Sequence, residues 1–207
     1  MPEGAKPDPR TAGFGAIVLA AGGSSRMGRV KQLLEAGGRT LIGRTVDAVL
    51  ESGARPVAVV LGANAEAVGA QVSGRGVLLV RNDGWTEGMA SSIRVGMAAL
   101  LLAEPALEAV LITPCDLPAL SARALMGLAE LRAKTGLTSA ARYHGRNATP
   151  AVFGRGEFPA LMGLRGEEGA RGLLNRDPSK IAAEDLPELG FDLDTPSDLD
   201  AWMSREP

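Results

Sequence analysis

The chain has 207 residues, 22 of them basic and 24 acidic, with 45% hydrophobic and 3% aromatic residues. That length fits one domain, since domains commonly run to ~100–200 residues, and the near-neutral charge without a basic block excludes the footprint of a nucleic-acid binder. One Cys and one His exclude an intrachain disulfide and a cysteine-rich zinc site, and leave little for nucleophile–histidine catalysis.

Residues 1–13 hold three Pro and both charge signs, without an apolar h-region. They are expected to form a disordered extension ahead of a domain over 14–205. No apolar run approaches the ~20 residues that span a bilayer, so no membrane partner is expected and the cytoplasm is the expected location.

Gly15–Ala21 is a continuous apolar run, as in a strand buried on both faces. A glycine-rich turn follows over Gly22–Gly28. Thr40–Leu50 has helical spacing and stops at Gly53. Pro56–Leu61 predicts a second strand, Ala65–Val72 a short helix and Val77–Val80 a third strand. Gly88–Leu102 predicts a longer helix with Met89, Ile93, Met97 and Leu100 on one face. Ala109–Thr113 predicts a fourth strand, ending in Pro114-Cys115-Asp116. Ser121 caps a helix over Ala122–Ala133. His144 sits in the turn-like Tyr143-His144-Gly145-Arg146 and reads as a surface loop residue. Ser179–Ala183 and Gly190–Leu193 are the last strand candidates, and Pro196 opens a final helix after a Thr195 cap. Apolar strands alternating with helices predict a Rossmann-like α/β domain with a mostly parallel sheet. In such sheets the ligand lies beyond the carboxyl ends of the strands.

The first loop carries the strongest signal. It reads Leu19-Ala20-Ala21-Gly22-Gly23-Ser24-Ser25-Arg26-Met27-Gly28-Arg29-Val30-Lys31. Gly22, Gly23 and Gly28 permit a positive φ and a close approach of backbone to ligand. Turned N–H groups form an anion cradle, to which Arg26 and Lys31 add charge. A Walker loop is excluded, because Arg29-Val30 follows Gly28 where Lys-Ser/Thr is required. A dinucleotide fingerprint is excluded as well, because Gly22 and Gly23 are adjacent and Asp47 falls within a helix.

This run, continued through Gln32-Leu33-Leu34, resembles the signature of the nucleotidyltransferases that build nucleotide forms of the molybdenum cofactor, and the cytidylyltransferase group most of all. Three further segments are similar to that family. Asn82-Asp83-Gly84-Trp85-Thr86-Glu87-Gly88-Met89-Ala90-Ser91-Ser92 resembles its N-x-x-W-x-x-G-M-x-x-S, although helix capping by a Ser and core packing of Trp85 and Met89 would also account for it. Cys115-Asp116-Leu117-Pro118 resembles C-D-x-P, with Leu117 where Gln is frequent. Cys115 itself reads as a small buried residue, with no base at hand to make its thiolate. Asp192-Leu193-Asp194-Thr195-Pro196 resembles D-x-D-T-P, and Asp198 behind it reads as a helix-dipole partner.

Thr149-Pro150-Ala151-Val152-Phe153 and Gly166-Glu167-Glu168-Gly169-Ala170-Arg171 resemble the acceptor-side stretch, with departures at Glu167 and at Asn147–Thr149. The resemblance implies a Mg²⁺-dependent enzyme with Arg26, Lys31 and Asp116 at the reaction centre. Asp116 and Asp194 would hold the metal. Leu19, Ala20, Ala21, Gly22, Gly23, Ser24, Ser25, Met27, Gly28, Asn82, Gly88 and Ser92 would join them around the nucleotide. CTP would be the donor and a molybdopterin-type cofactor the acceptor, with a molybdenum hydroxylase as a candidate recipient of the product. A guanylyltransferase, a sugar-phosphate nucleotidyltransferase and an inactive nucleotide-binding regulator are the alternatives.

Overall fold

Strands form where the apolar runs lie and turns where the glycines cluster. The computed structural model describes residues 13–24, 27–36, 38–193 and 195–203. In chain order the elements are β1 (Gly15–Ala20), the short pair β2 (Glu35–Ala36) and β3 (Arg39–Thr40), α1 (Leu41–Glu51), β4 (Val57–Leu61), α2 (Ala65–Ala70), β5 (Leu78–Arg81), α3 (Met89–Ala103), β6 (Ala109–Pro114), α4 (Ala122–Thr135), β7 (Thr138–Tyr143), β8 (Arg146–Gly154), α5 (Phe158–Gly163), α6 (Arg171–Arg176), β9 (Ile181–Asp185) and α7 (Pro196–Met203).

Seven strands make one sheet in the order β5-β4-β1-β6-β8-β7-β9. The β5, β4, β1 and β6 strands pair in parallel. The β8 strand runs antiparallel to both β6 and β7, and β9 is parallel to β7. A single reversed strand therefore interrupts an otherwise parallel sheet.

Both faces of the sheet are covered. Val18, Val59 and Leu111 face Ile42, Val46 and Val49 of α1 and Leu125 and Leu128 of α4. Ile17, Val60 and Ile112 face Ile93, Met97 and Leu100 of α3 and Leu161 of α5. Side chains alternate along a strand, so an all-apolar run supplies both layers at once. Thr40 Oγ1 accepts from Gly43 N at 3.2 Å to cap α1, and Ser121 Oγ accepts from Ala124 N at 3.3 Å to cap α4. Among the described residues no helix is long and apolar enough to cross a membrane.

Two sequence expectations fail here. Gly190–Leu193 is not a strand: a 3₁₀ turn spans Pro187–Gly190 and Phe191–Leu193 is irregular. Leu189 and Leu193 are buried there, and the Leu193 N–H goes to the Asp116 carbonyl at 3.1 Å rather than to a strand neighbour. Met89 is 46% exposed while Ile93, Met97 and Leu100 are fully buried. It opens α3 beyond the sheet and lies over Gly169.

The α3 helix packs closely on β1 and β4 at Gly96. A Cβ there would lie 2.8 Å from Ile17 Cγ2 and 3.0 Å from Val60 Cγ2. Helix propensity alone favours Ala over Gly by about 1 kcal/mol. Overpacking against stiff β-branched side chains costs about 1–3 kcal/mol, so the steric term should win. Gly96→Ala should lower stability by up to about 2 kcal/mol, net of those two effects, seen as a lower urea midpoint. A raised midpoint would show that this interface yields.

Candidate active site

The loop after β1 is held from beneath by Gln32, which is only 1% exposed. Its Nε2 donates to the Gly22 carbonyl at 2.8 Å and the Ala20 carbonyl at 3.2 Å, and its Oε1 accepts from Ser24 Oγ at 3.2 Å. Ser24 Oγ in turn accepts from Lys31 N at 3.1 Å. One buried amide thus fixes both ends of the turn. The sequence reading quoted Gln32 and gave it no part. A polar side chain immediately before the apolar pair Leu33-Leu34 was the available signal.

The backbone conformation differs from expectation. Gly28 has φ +67°, but the other positive φ in the described part of the loop belongs to Ser24, at +55°, and not to Gly22 or Gly23. Gly23 matters through proximity instead: a Cβ there would come within 3.3 Å of the Trp85 ring. The Ala21 methyl is turned toward Gly62, where any added Cβ would lie 2.8 Å from it. Met27 is buried with Leu34, Leu41, Leu193 and Trp202, so its side chain anchors the loop. Ser25, Arg26 and Asp194 lie outside the described residues.

Strands β1 and β6 are parallel neighbours, with Leu19 opposite Pro114, so their following loops leave the sheet side by side. Lys31 Nζ donates to Asp116 Oδ2 at 2.5 Å, with the two side chains 16% and 19% exposed. The Asp116 carbonyl accepts from Leu193 N at 3.1 Å, which ties the Asp192-Leu193 segment to the same place. Cys115 beside them is 2% exposed, and burial foremost, with the Asp116 charge, pushes its thiol up to about 12. It remains protonated at neutral pH and is no nucleophile. Leu117 is 4% exposed, so the departure from the usual Gln there fills the core.

The Asn82–Ser92 segment is committed inward. Asn82 Nδ2 donates to Ser91 Oγ at 2.8 Å and Ser92 Oγ at 3.0 Å, while its Oδ1 accepts from Gly84 N at 3.0 Å. All three side chains are buried. Gly88 has φ +118° and seats the Gly166 backbone, where no Cβ has room. The Arg94 guanidinium holds both Glu87 oxygens, at 2.8 and 2.7 Å, keeps that carboxyl below its usual range, and donates to the Leu164 carbonyl at 2.7 Å. Asn82 therefore ties the loop before α3 to the start of that helix, and Gly88 seats it on the loop before α6.

On the other flank, the Tyr143 hydroxyl donates to the Thr149 carbonyl at 2.9 Å. Burial raises its pKa and the neighbouring Arg171 opposes that; Asp192 and Asp116 are also within electrostatic reach. Asn147, one of the departures from the family pattern, donates to the Leu174 carbonyl at 3.1 Å and exchanges hydrogen bonds with Asn175. It fastens α6, which begins at Arg171, to β8.

The donors offered around Asp116 are hard oxygens. Among the described residues no three His, Cys, Asp or Glu side chains converge as an all-protein metal cage. One or two carboxylates completed by water and phosphate oxygens is the common Mg²⁺ environment, and the Asp116 carboxylate fits that donor set.

Comparison with known proteins places the chain in a family. The MobA-like NTP transferase domain matches residues 16–181. Nicotine blue oxidoreductase of Paenarthrobacter nicotinovorans is 34% identical over 190 residues, covering 86% of this chain and 91% of that protein. The Rv0371c protein of Mycobacterium tuberculosis superposes with a TM-score of 0.76 at 28% identity, over 93% of this chain and 98% of its own. A second structure of that protein is a manganese complex. A Methanothermobacter nucleotidyl transferase superposes at 0.77 with 25% identity, over 93% and 96% of the two chains. The chain belongs to the MobA-like NTP transferase domain family and is a nucleotidyltransferase.

Proposed function

We propose that this enzyme transfers a nucleoside monophosphate from an NTP, CTP by preference, to the terminal phosphate of a molybdopterin-type acceptor, with Mg²⁺ and release of pyrophosphate. The observation that carries this reading is the convergence of Lys31 and Asp116, 2.5 Å apart, beside a glycine-rich loop at the carboxyl ends of β1 and β6. The cytoplasm, which supplies NTPs, is the expected setting, and a molybdenum hydroxylase would receive the product.

An acceptor phosphate oxygen attacks the α-phosphorus. The bond from that phosphorus to the α,β-bridging oxygen breaks, and pyrophosphate leaves with the electron pair. A phosphate is already anionic at neutral pH, so no strong general base is needed. That suits a site whose thiol stays protonated and whose chain has a single His. Asp116, with Asp194 from the C-terminal pair, would hold Mg²⁺, which when bound neutralises charge on the phosphates. Backbone N–H groups of Gly22–Gly28, with Arg26 and Lys31, would hold the triphosphate.

Lys31 begins as the partner of Asp116, and an arriving triphosphate competes for it. The exchange frees a carboxylate for the metal and places the cation where pyrophosphate departs. Glycine 62 takes up the Ala21 methyl, so that methyl would not exclude a purine by bulk. Preference for CTP rests on the Leu19-Ala20-Ala21-Gly22 resemblance. The acceptor would lie toward Tyr143, Arg171 and Thr149, and the acceptor assignment rests on the same family likeness.

The donor is tested with CTP and GTP at equal concentration and molybdenum cofactor, the products resolved by mass. Cytidylylated product with stoichiometric pyrophosphate is expected, and predominant guanylylation would overturn the base assignment. A parallel assay with reduced nicotinamide dinucleotide separates group transfer from a redox activity such as the Paenarthrobacter relative's name describes.

Asp116→Asn should cut turnover by roughly 10²-fold or more, as loss of a charge-stabilising group does, while circular dichroism stays native. Lys31→Met should lower kcat along with nucleotide affinity, because its charge matters most as pyrophosphate leaves. A change in KM alone would confine Lys31 to ground-state binding.

Gln32→Glu keeps the shape and removes both amide donors, leaving the Ala20 and Gly22 carbonyls facing a carboxylate. Unmade buried hydrogen bonds cost about 1–3 kcal/mol, so stability should fall by that order in urea titration. Nucleotide affinity should fall with it, and unchanged affinity would sever the buried amide from the loop's function.

A further inference from the structure

The single histidine lies on the surface at the tip of the β7–β8 hairpin, and the reaction proposed above gives it no part. Its contacts point elsewhere. His144 Nε2 donates to the Gly190 carbonyl at 2.7 Å. Gly190 leaves no room for a side chain, since a Cβ would sit 2.7 Å from that same nitrogen. The Tyr143 ring stands edge-on to the imidazole at 5.8 Å. Two residues after Gly190 comes Asp192, and Leu193 N is tied to the Asp116 carbonyl at 3.1 Å.

The same hairpin also holds the start of this stretch. Leu186 N donates to the Arg142 carbonyl at 3.0 Å, and the Arg142 guanidinium pairs with Asp185 at 2.7 and 3.2 Å. Residues 185–193 thus run from the hairpin to the loop after β6, held near Asp192 both by the Leu193 N–H on the Asp116 carbonyl and by His144 on the Gly190 carbonyl. Leu189 and Leu193 bury their side chains on either side, at 1% and 0% exposure. Beyond Asp185, the last residue of β9, the segment has no strand ladder to fix it. Point contacts must set where its carboxylates lie.

We propose that His144 is a positioning residue: by holding the Gly190 carbonyl it fixes the Asp192-Leu193 segment against Asp116 and so tunes divalent metal affinity. The inference rests on the reading of Asp116 and the C-terminal aspartates as the metal site. His144 does not touch the metal itself. Groups that orient ligands from outside the coordination sphere commonly contribute 10- to 100-fold in metal affinity, by ~10¹–10² on mutation.

His144 has φ +50°, a left-handed conformation in which Asn is favoured and most residues are not. Two substitutions therefore separate its two properties. His144→Asn keeps the turn preference and cannot reach Gly190. His144→Gln places an amide N–H near the position of Nε2 and keeps the reach. Mn²⁺ serves as the probe, with binding to the nucleotide-free enzyme followed by electron paramagnetic resonance and thermal midpoints recorded in parallel.

The expected result is Mn²⁺ affinity about tenfold weaker in His144→Asn and near wild type in His144→Gln. The His144→Asn midpoint should move by no more than about 3 °C, since one exposed hydrogen bond is lost. Loss of affinity in His144→Gln alone would make the turn, and not the reach, responsible, and overturn the proposal. Equal loss in both variants would indicate a need for the imidazole itself, and loss in neither would leave His144 no influence; each overturns it. Asp116→Asn is the control on the underlying reading. If that variant binds Mn²⁺ as the wild type does, the metal site is misplaced and the positioning role falls with it.

Discussion

The ion pair between Lys31 and Asp116 joins two loops 85 residues apart in sequence and defines the centre of the site. Each side chain is largely withdrawn from water, at 16% and 19% exposure, so either charge alone would be costly there. The pair exists because β1 and β6 lie side by side in parallel and release their loops at the same edge. Paired, the two charges leave the nucleotide-free site near neutrality. In the proposed reaction a polyanion bringing a divalent cation would offer each of them a new partner at once. A site that supplies one positive and one negative group to such a ligand can exchange partners without stranding a buried charge.

Much of this was written in the sequence. Strands buried on both faces must be apolar throughout, and the runs at Gly15–Ala20, Val57–Leu61 and Ala109–Pro114 are. The cap at Ser121 announced its helix through residue type alone. The turn after β1 was legible for a different reason: its cluster of glycines marks a turn whatever packs around it, and Gly28 there has φ +67°.

What stayed hidden depends on partners distant in sequence. The reversal of β8 follows from a two-residue turn with His144 at φ +50° and Gly145 at +69°, and a histidine is a weak signal for such a turn. Gly190–Leu193 has the composition of a strand, yet its N–H is taken by Asp116 across the sheet edge. Asn82 and Gly88 looked like groups for a nucleotide because they sit in a polar loop before a helix. Their actual neighbours, Ser91, Ser92 and Gly166, include one nearly eighty residues beyond Gly88 in the sequence. Gln32 had only its place before Leu33-Leu34 to mark it, since its amide donates to backbone carbonyls that no sequence pattern marks.

A glycine-rich loop presents open N–H groups because it lacks side chains, and for that reason it has little of its own to hold it still. Precision must come from its borders. On one side Gln32 clamps the carbonyls of Ala20 and Gly22. On the other, Met27 is buried with Leu34, Leu41, Leu193 and Trp202, a small cluster to which the C-terminal segment also contributes. Arg44 stacks over the Trp202 ring, 5.5 Å from its centroid, and closes that cluster. The loop that would hold the phosphates and the segment that carries the C-terminal aspartates are therefore packed against a common set of neutral side chains. Hydrophobic contact thus supports both segments alongside their hydrogen bonds, and ionic strength and nucleotide charge leave that support unaltered. Charges at this site are free to exchange partners because uncharged residues hold the backbone in place.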